Sequence, residues 1–150
     1  METGGAPACP SPVMGVYDRP FWDSIQARRC ALQRCGQCGT FRYPPGPVCG
    51  SCLSLDSEWT PISGCGEIVS WVRFHKQYLP AFPIPYEVIA VRLAENPVMI
   101  STLAAPPSDG RWIGRAVTLT YHRRDDGLVL PCFTLAESGR PEGHPDAPLA

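Results

Sequence analysis

Cys35-Gly-Gln-Cys38 and Cys49-Gly-Ser-Cys52 decide how this chain is read. Two Cys-x-x-Cys pairs with ten residues between them ask for one tetrahedral metal, because each pair wraps an ion from one side. A zinc ion takes four thiolates at about 2.3 Å and imposes no geometry that a small loop cannot meet. Glycine follows directly in Cys35-Gly36, Cys38-Gly39 and Cys49-Gly50. A tight knuckle needs backbone N–H groups turned toward sulfur, and φ values that glycine reaches without strain. Cys35, Cys38, Cys49 and Cys52 therefore read as a structural zinc site. Iron fits the same four sulfurs, since geometry alone does not separate the two metals, and the gap is shorter than in common four-cysteine sites. A redox pair would show one motif beside a βαβ pattern, which is missing here. Two disulfides would go with a secretory leader, and none is visible.

The remaining composition bounds the answer. A length of 150 residues allows one or two small domains. The net charge of −1 and pI of about 6.3 leave no global basic field to attract nucleic acid. Eighteen prolines and fourteen glycines disfavour long helices and favour short strands between punctuated loops. No apolar run approaches the ~18 residues that a membrane helix needs. Eight cysteines without a leader fit a reducing cytoplasm that keeps thiolates available for metal. Cys9, Cys30, Cys65 and Cys132 are scattered and read as small buried hydrophobes or passive thiols.

Five segments are expected. Residues 1–14 are small and proline-rich and read as a mobile tail. Residues 15–29 hold a helix that Asp18 can cap, with Pro20 in its first turn. Phe21, Trp22 and Ile25 share one of its faces, which either packs on its own domain or meets a partner. Residues 30–60 form the zinc ribbon, with Phe41 and Tyr43 as its apolar cover. A ribbon of this size buries too little to fold without its metal.

From residue 61 to 135 the hydrophobic period becomes two. Strands are expected at 66–74, 86–93, 97–103, 115–121 and 128–133, with Ile68, Val72 and Phe74 on one face of the first. Asn96-Pro97, Ser108-Asp-Gly110 and Asp125-Asp-Gly127 punctuate them. Five short strands suggest a small barrel of the OB type, although a small sandwich reads similarly. The loop 75–85 is stiffened by three prolines, Pro80, Pro83 and Pro85, and carries Tyr78, Phe82, His75 and Lys76. It is either a binding loop or a cover over the barrel mouth. Residues 136–150 lack apolar periodicity and read as a disordered tail.

Taken in order, Phe21-Trp22, Leu32-Gln-Arg-Cys35-Gly-Gln-Cys38-Gly, Arg42-Tyr-Pro-Pro-Gly-Pro, Cys49-Gly-Ser-Cys52, Glu58-Trp59, Ser63-Gly-Cys-Gly66-Glu-Ile-Val-Ser70, Pro85-Tyr86, Val91-Arg-Leu93, Gly114-Arg-Ala-Val117 and Leu130-Pro-Cys-Phe133 form a pattern. It resembles the zinc-ribbon plus OB-fold proteins of acyl-CoA metabolism, long catalogued as a domain of unknown function, over roughly residues 18–135. The resemblance implies a mainly β protein with an N-terminal helix, a rubredoxin-like zinc ribbon and a C-terminal five-stranded OB-fold barrel. It also implies a non-catalytic subunit in a hetero-oligomer with a thiolase-fold enzyme (a thiolase, acyltransferase or retro-aldolase), bracing it and helping to enclose the CoA substrate. Its zinc would be structural, on Cys35, Cys38, Cys49 and Cys52. One departure is Glu95-Asn96, where many relatives have Glu-Gly; asparagine tolerates the left-handed conformation, so the turn survives.

The residues themselves argue the same way. There is no Gly-x-Ser-x-Gly elbow, phosphate loop or His-Glu-x-x-His, and four thiolates leave a metal no open position. His75, His122 and His144 stand apart from any evident catalytic partner. CoA would want cations beside an apolar groove, which nominates Arg73, Lys76, Tyr78 and Arg92. Phe21, Trp22, Ile25 and Phe82 are the candidate partner surface. Two other classes stay open: a single-stranded nucleic-acid binder, against which the charge balance argues, and a rubredoxin-like electron carrier.

Overall fold

The computed structural model describes residues 9–136. The expected tails therefore lie outside the described residues, apart from 9–14 and Ala136. Cys9 and Pro10 are held in place, since Arg124 donates to their carbonyls at 2.8 and 3.0 Å.

Pro20 falls in the first turn of α1 (Arg19–Gln26), where no hydrogen bond is lost. Asp18 stands at the N-cap, but its carboxylate accepts from Gly15 N–H at 3.3 Å and makes no cap bond to the helix. The helix stops three residues short of Arg29 because Arg28 turns to φ 55. Arg28 N–H then meets the Ile25 carbonyl and Arg29 N–H meets that of Ser24, both at 2.9 Å. This is a Schellman turn with arginine at the position glycine usually holds. Phe21 and Ile25 are buried in this chain's own core, Phe21 against Tyr43 at 5.5 Å.

The ribbon sheet has β1 (Ala31–Cys35) between β2 (Phe41–Arg42) and β3 (Ser57–Pro61), all antiparallel. With so little apolar material, polar side chains fix its long loop. Buried Arg42 donates to the Gly46 and Asp56 carbonyls at 3.0 and 2.9 Å, and buried Gln33 accepts from Gly46 N–H at 2.8 Å.

The second sheet runs β6-β5-β4-β7-β8, from β4 (Cys65–Phe74), β5 (Tyr86–Leu93), β6 (Val98–Ser101), β7 (Ala116–Arg123) and β8 (Val129–Leu135). Neighbours are antiparallel, and a parallel bridge between Leu103 and Phe133 brings the two edges together. That order with a parallel closure is an OB-type curled barrel, and the mainly β expectation is met. Gly66 permits the curl: a Cβ there would stand 2.5 Å from Val91 Cγ1 and 2.7 Å from the Arg92 carbonyl. Asn96 takes φ 90 in the β5–β6 turn, as its tolerance of that region requires. The core joins Ile68, Ile89, Val91, Met99, Val117 and Phe133 to Ile25 and Leu32. Among the described residues, no helix is long and apolar enough to cross a membrane.

A register shift between Ile68 and Ser70 corrects the expected face of β4. One extra residue reverses the alternation beyond it. Trp71 now lies opposite buried Ile89 and stacks on Trp112 at 4.6 Å, while Val72 is turned outward and 46% exposed.

Candidate functional site

The metal centre is built by two matching turns. Cys35 ends β1, and its carbonyl accepts from Gly39 N–H at 3.0 Å; in the second turn the Cys49 carbonyl accepts from Leu53 N–H at 2.9 Å. Gly39 has φ 72 and Leu53 φ 61, so the left-handed position of the second knuckle belongs to a leucine. Gly36 and Gly50, expected to supply the turn conformation, are not the residues that use it.

The four sulfurs lie within 4.8 Å of one another. Cys35 Sγ is 3.5 Å from Cys52 Sγ, and Cys38 Sγ is 3.6 Å from Cys49 Sγ. Thiolates at about 2.3 Å from one tetrahedral ion stand about 3.8 Å apart, so the arrangement is close to the required one. The electrostatics point the same way. Backbone N–H groups of Cys38 and Gln37 lower the Cys35 thiol to about 6. Those of Cys52 and Ser51 lower Cys49. The Ser54 N–H favours a Cys52 thiolate, yet the neighbouring Cys38 and Cys35 sulfurs push that thiol up to about 12. Four thiolates crowded this closely need a cation among them, and a zinc ion held by Cys35, Cys38, Cys49 and Cys52 would supply it and brace the ribbon.

The second feature is a hairpin that outgrows its barrel. β7 pairs with β4 only at Cys65–Glu67, and β6 reaches β5 only as far as Ile89. Beyond Trp71 and Ile89 the two strands continue alone to Phe74 and Tyr86, carrying the 75–85 loop. An isolated two-stranded ribbon is marginal in water, and this one is stiffened by aromatics. Phe74 stacks on Tyr86 at 4.8 Å, Tyr78 meets Phe74 edge-on at 6.3 Å, and Phe82 leans on Tyr86 at 5.8 Å. Val72, Tyr78, Leu79, Phe82 and Ile84 remain exposed around that cluster.

Arg73, Lys76, Tyr78 and Phe82 thus share the arm. Arg73 is bound to Glu87 at 2.8 Å and lies over Trp71, and Lys76 lies over Tyr78 at 5.4 Å. Arg92 is not with them: it faces Glu67 at the other end of β5, five residues or about 17 Å along the strand from Glu87. Of the helix candidates, Phe21 and Ile25 are enclosed and Trp22 is half-buried. Trp22 borders an apolar groove of about 390 Å³ with Tyr43, Ile100, His122, Leu130 and Pro131. Val72, Leu79 and Ile84 were missed because their exposure follows from the shifted register and the unpaired arm. His75 and His122 are exposed.

The ChsH2, rubredoxin-like zinc ribbon domain matches residues 22–58. A solved structure described as Ltp2-ChsH2(DUF35) aldolase superposes with a TM-score of 0.76 at 33% identity, covering 83% of this chain and 98% of that one. A Sulfolobus solfataricus protein of the DUF35 family, 10% identical over 82% of this chain and 87% of its own, has a TM-score of 0.59 and supports the fold alone. Among curated proteins, the probable enoyl-CoA hydratase alpha subunit of Thermomonospora curvata is 37% identical over 117 residues, 77% of this chain. The 3-oxo-4,17-pregnadiene-20-carboxyl-CoA hydratase alpha subunit of Mycobacterium tuberculosis is 30% identical over 101 residues, 67% of this chain. The matched segment is only 37% and 32% of those relatives' own lengths, so this chain spans about a third of each.

Proposed function

Because this chain belongs to the DUF35 family of ChsH2-like zinc-ribbon proteins, we propose that it is a non-catalytic accessory subunit of a thiolase-fold enzyme acting on acyl-CoA thioesters. The projecting hairpin carries the reading. A two-stranded arm that leaves five large apolar side chains in water is costly for a free monomer and is suited to insertion into a partner. Relatives named for an aldolase with Ltp2 and for CoA-thioester hydratase subunits support the acyl-CoA chemistry, and the thiolase fold of the partner is what the family resemblance implies. Four sulfurs leave a bound zinc no position for water or substrate. On this reading Arg73, Lys76 and Tyr78 of the arm help to enclose the CoA substrate at the partner's surface.

Co-expression with a thiolase-fold enzyme encoded beside it, followed by size-exclusion chromatography, tests the proposal. The two chains are expected to co-elute, and the enzyme alone to be insoluble or inactive. An enzyme that is fully active and stable without this chain would sink it.

A further inference from the structure

Among the described residues Arg42 is the one cationic side chain that is buried, at 8% exposure. Its Nη atoms donate to the Gly46 and Asp56 carbonyls, and its Nε, also buried, has no partner. It meets no carboxylate among the described residues, whereas Arg34, Arg73, Arg115 and Arg124 each do. The Asp56 carboxylate is exposed and accepts from Gln37 Nε2 at 3.3 Å instead. Carbonyl dipoles orient a guanidinium without neutralising it, and a buried charge without a counter-charge is strongly unfavourable. Bracing the loop needs no charge, since buried Gln33 holds Gly46 N–H with a neutral amide.

The balancing negative charge lies in the same ribbon. Arg42 stands opposite Gln33, and Cys35 follows two residues along β1 on the same buried face. Cross-strand diagonal neighbours of this kind are about 7–8 Å apart. The Asp56 carbonyl that accepts from Arg42 also accepts Gly36 N–H at 3.2 Å, so one shared oxygen links the guanidinium to the residue after Cys35. The other prong, on Gly46, holds the loop that runs on to Cys49. Four thiolates around one zinc ion carry two net negative charges. Arg34, beside the first knuckle, does not fill this role: its side chain is 47% exposed and already faces Glu58 at 3.7 Å, where water screens it.

We propose that Arg42 is the built-in counter-charge of the metal centre: its guanidinium offsets the net negative charge of a zinc ion held by Cys35, Cys38, Cys49 and Cys52. Metal affinity and the burial of this arginine then depend on each other. Zinc retention follows the charge at position 42 and the charge of the ligand set, beyond what the two hydrogen bonds of the fork contribute.

Competition with a chromophoric chelator reads the zinc affinity of the full chain at neutral pH. Arg42→Lys and Arg42→Gln both lose the two-pronged fork and both keep a donor, but only lysine keeps the charge. Arg42→Gln should weaken zinc binding about 10–100-fold, as loss of an outer partner of a metal site does. Arg42→Lys should retain most of the affinity. A double-mutant cycle separates charge from bracing. Cys38→His puts a neutral ligand at an exposed position and halves the net charge, so Arg42→Gln should there cost at least about threefold less affinity than with four cysteines. If imidazole at 38 abolishes zinc binding, Cys52→His, at the other exposed ligand, takes its place. The proposal is overturned if the glutamine variant holds zinc as tightly as the lysine variant, or if the loss from Arg42→Gln is the same in both ligand sets. Either result makes Arg42 a brace for the loop alone. The measurement needs no partner enzyme, so failure of the accessory-subunit reading leaves its outcome unaffected.

Discussion

The side-chain amide of Gln26 pairs with the backbone of Val129 as a neighbouring strand would. Its Nε2 donates to the Val129 carbonyl at 3.0 Å, and its Oε1 accepts the Val129 N–H at 3.1 Å. One residue at the end of α1 thereby occupies the start of β8 and ties the helix to the barrel. Gln26→Ala is expected to cost roughly 1–3 kcal/mol, the sum of two modest hydrogen bonds and their unsatisfied partners. Gln26→Glu should cost at least as much, because a carboxylate cannot donate to the Val129 carbonyl. Urea unfolding of the two variants measures both.

The metal should decide whether the ribbon folds. One zinc per chain is expected by elemental analysis, and Cys38→Ser or a strong chelator should collapse residues 30–60, seen as lost hydrogen-exchange protection there. Unchanged circular dichroism and unchanged partner binding after complete zinc removal would contradict this.

Leu53 at φ 61 offers an engineering test, because it is 75% exposed and has no packing to lose. Its left-handed conformation costs about 1–2 kcal/mol, of which glycine's extra unfolded-state entropy gives back part. Leu53→Gly should therefore stabilise the zinc-loaded chain by about 0.5–1 kcal/mol, read as a higher thermal midpoint. A lower midpoint would show that the knuckle gains something from the leucine.

The arm can be separated from the fold. Tyr78→Ser and Leu79→Asp change side chains that are 66% and 43% exposed, so unfolding free energy should move by no more than about 0.5 kcal/mol. Co-elution with the proposed thiolase-fold partner should be lost. Retained co-elution would move the interface elsewhere on the chain.

Alkaline titration should weaken the junction of helix, ribbon and barrel. Burial, with a smaller contribution from Glu95, raises the Cys30 thiol from 9.0 to about 12. A folded pKa above the unfolded one means this stabilisation is complete below pH 9 and falls away between pH 9 and about 12, as the unfolded thiol ionises first. Cys30→Ala should lower stability at neutral pH and flatten the decline across that window, measured by chemical unfolding at successive pH values.

The metal centre was legible in the chain because its ligands are local: Cys35, Cys38, Cys49 and Cys52 span eighteen positions and their spacing alone limits what they can hold. The barrel strands were legible for a related reason, since alternation reports a buried face wherever the ladder is regular. Both signals fail where the deciding neighbour is remote. The extra residue after Ile68 reversed Trp71 and Val72, and no motif announces it. The face of Phe21 and Ile25 suits a partner or a core equally well until Tyr43, β1 and β8 are seen around it. Arg73 and Arg92 look alike in the sequence, yet the pairing of β4 with β5 sets them at opposite ends of the hairpin, Arg73 opposite Glu87 and Arg92 opposite Glu67.

Short-range chemistry, namely ligand spacing, turn residues and period, is thus what the sequence by itself determined. Tertiary structure alone decided the rest: which apolar face meets water, how far the hairpin outruns its neighbours, and which arginine sits on the arm. Those are outcomes of burial and register, which depend on residues a hundred positions apart, as Gln26 and Val129 are.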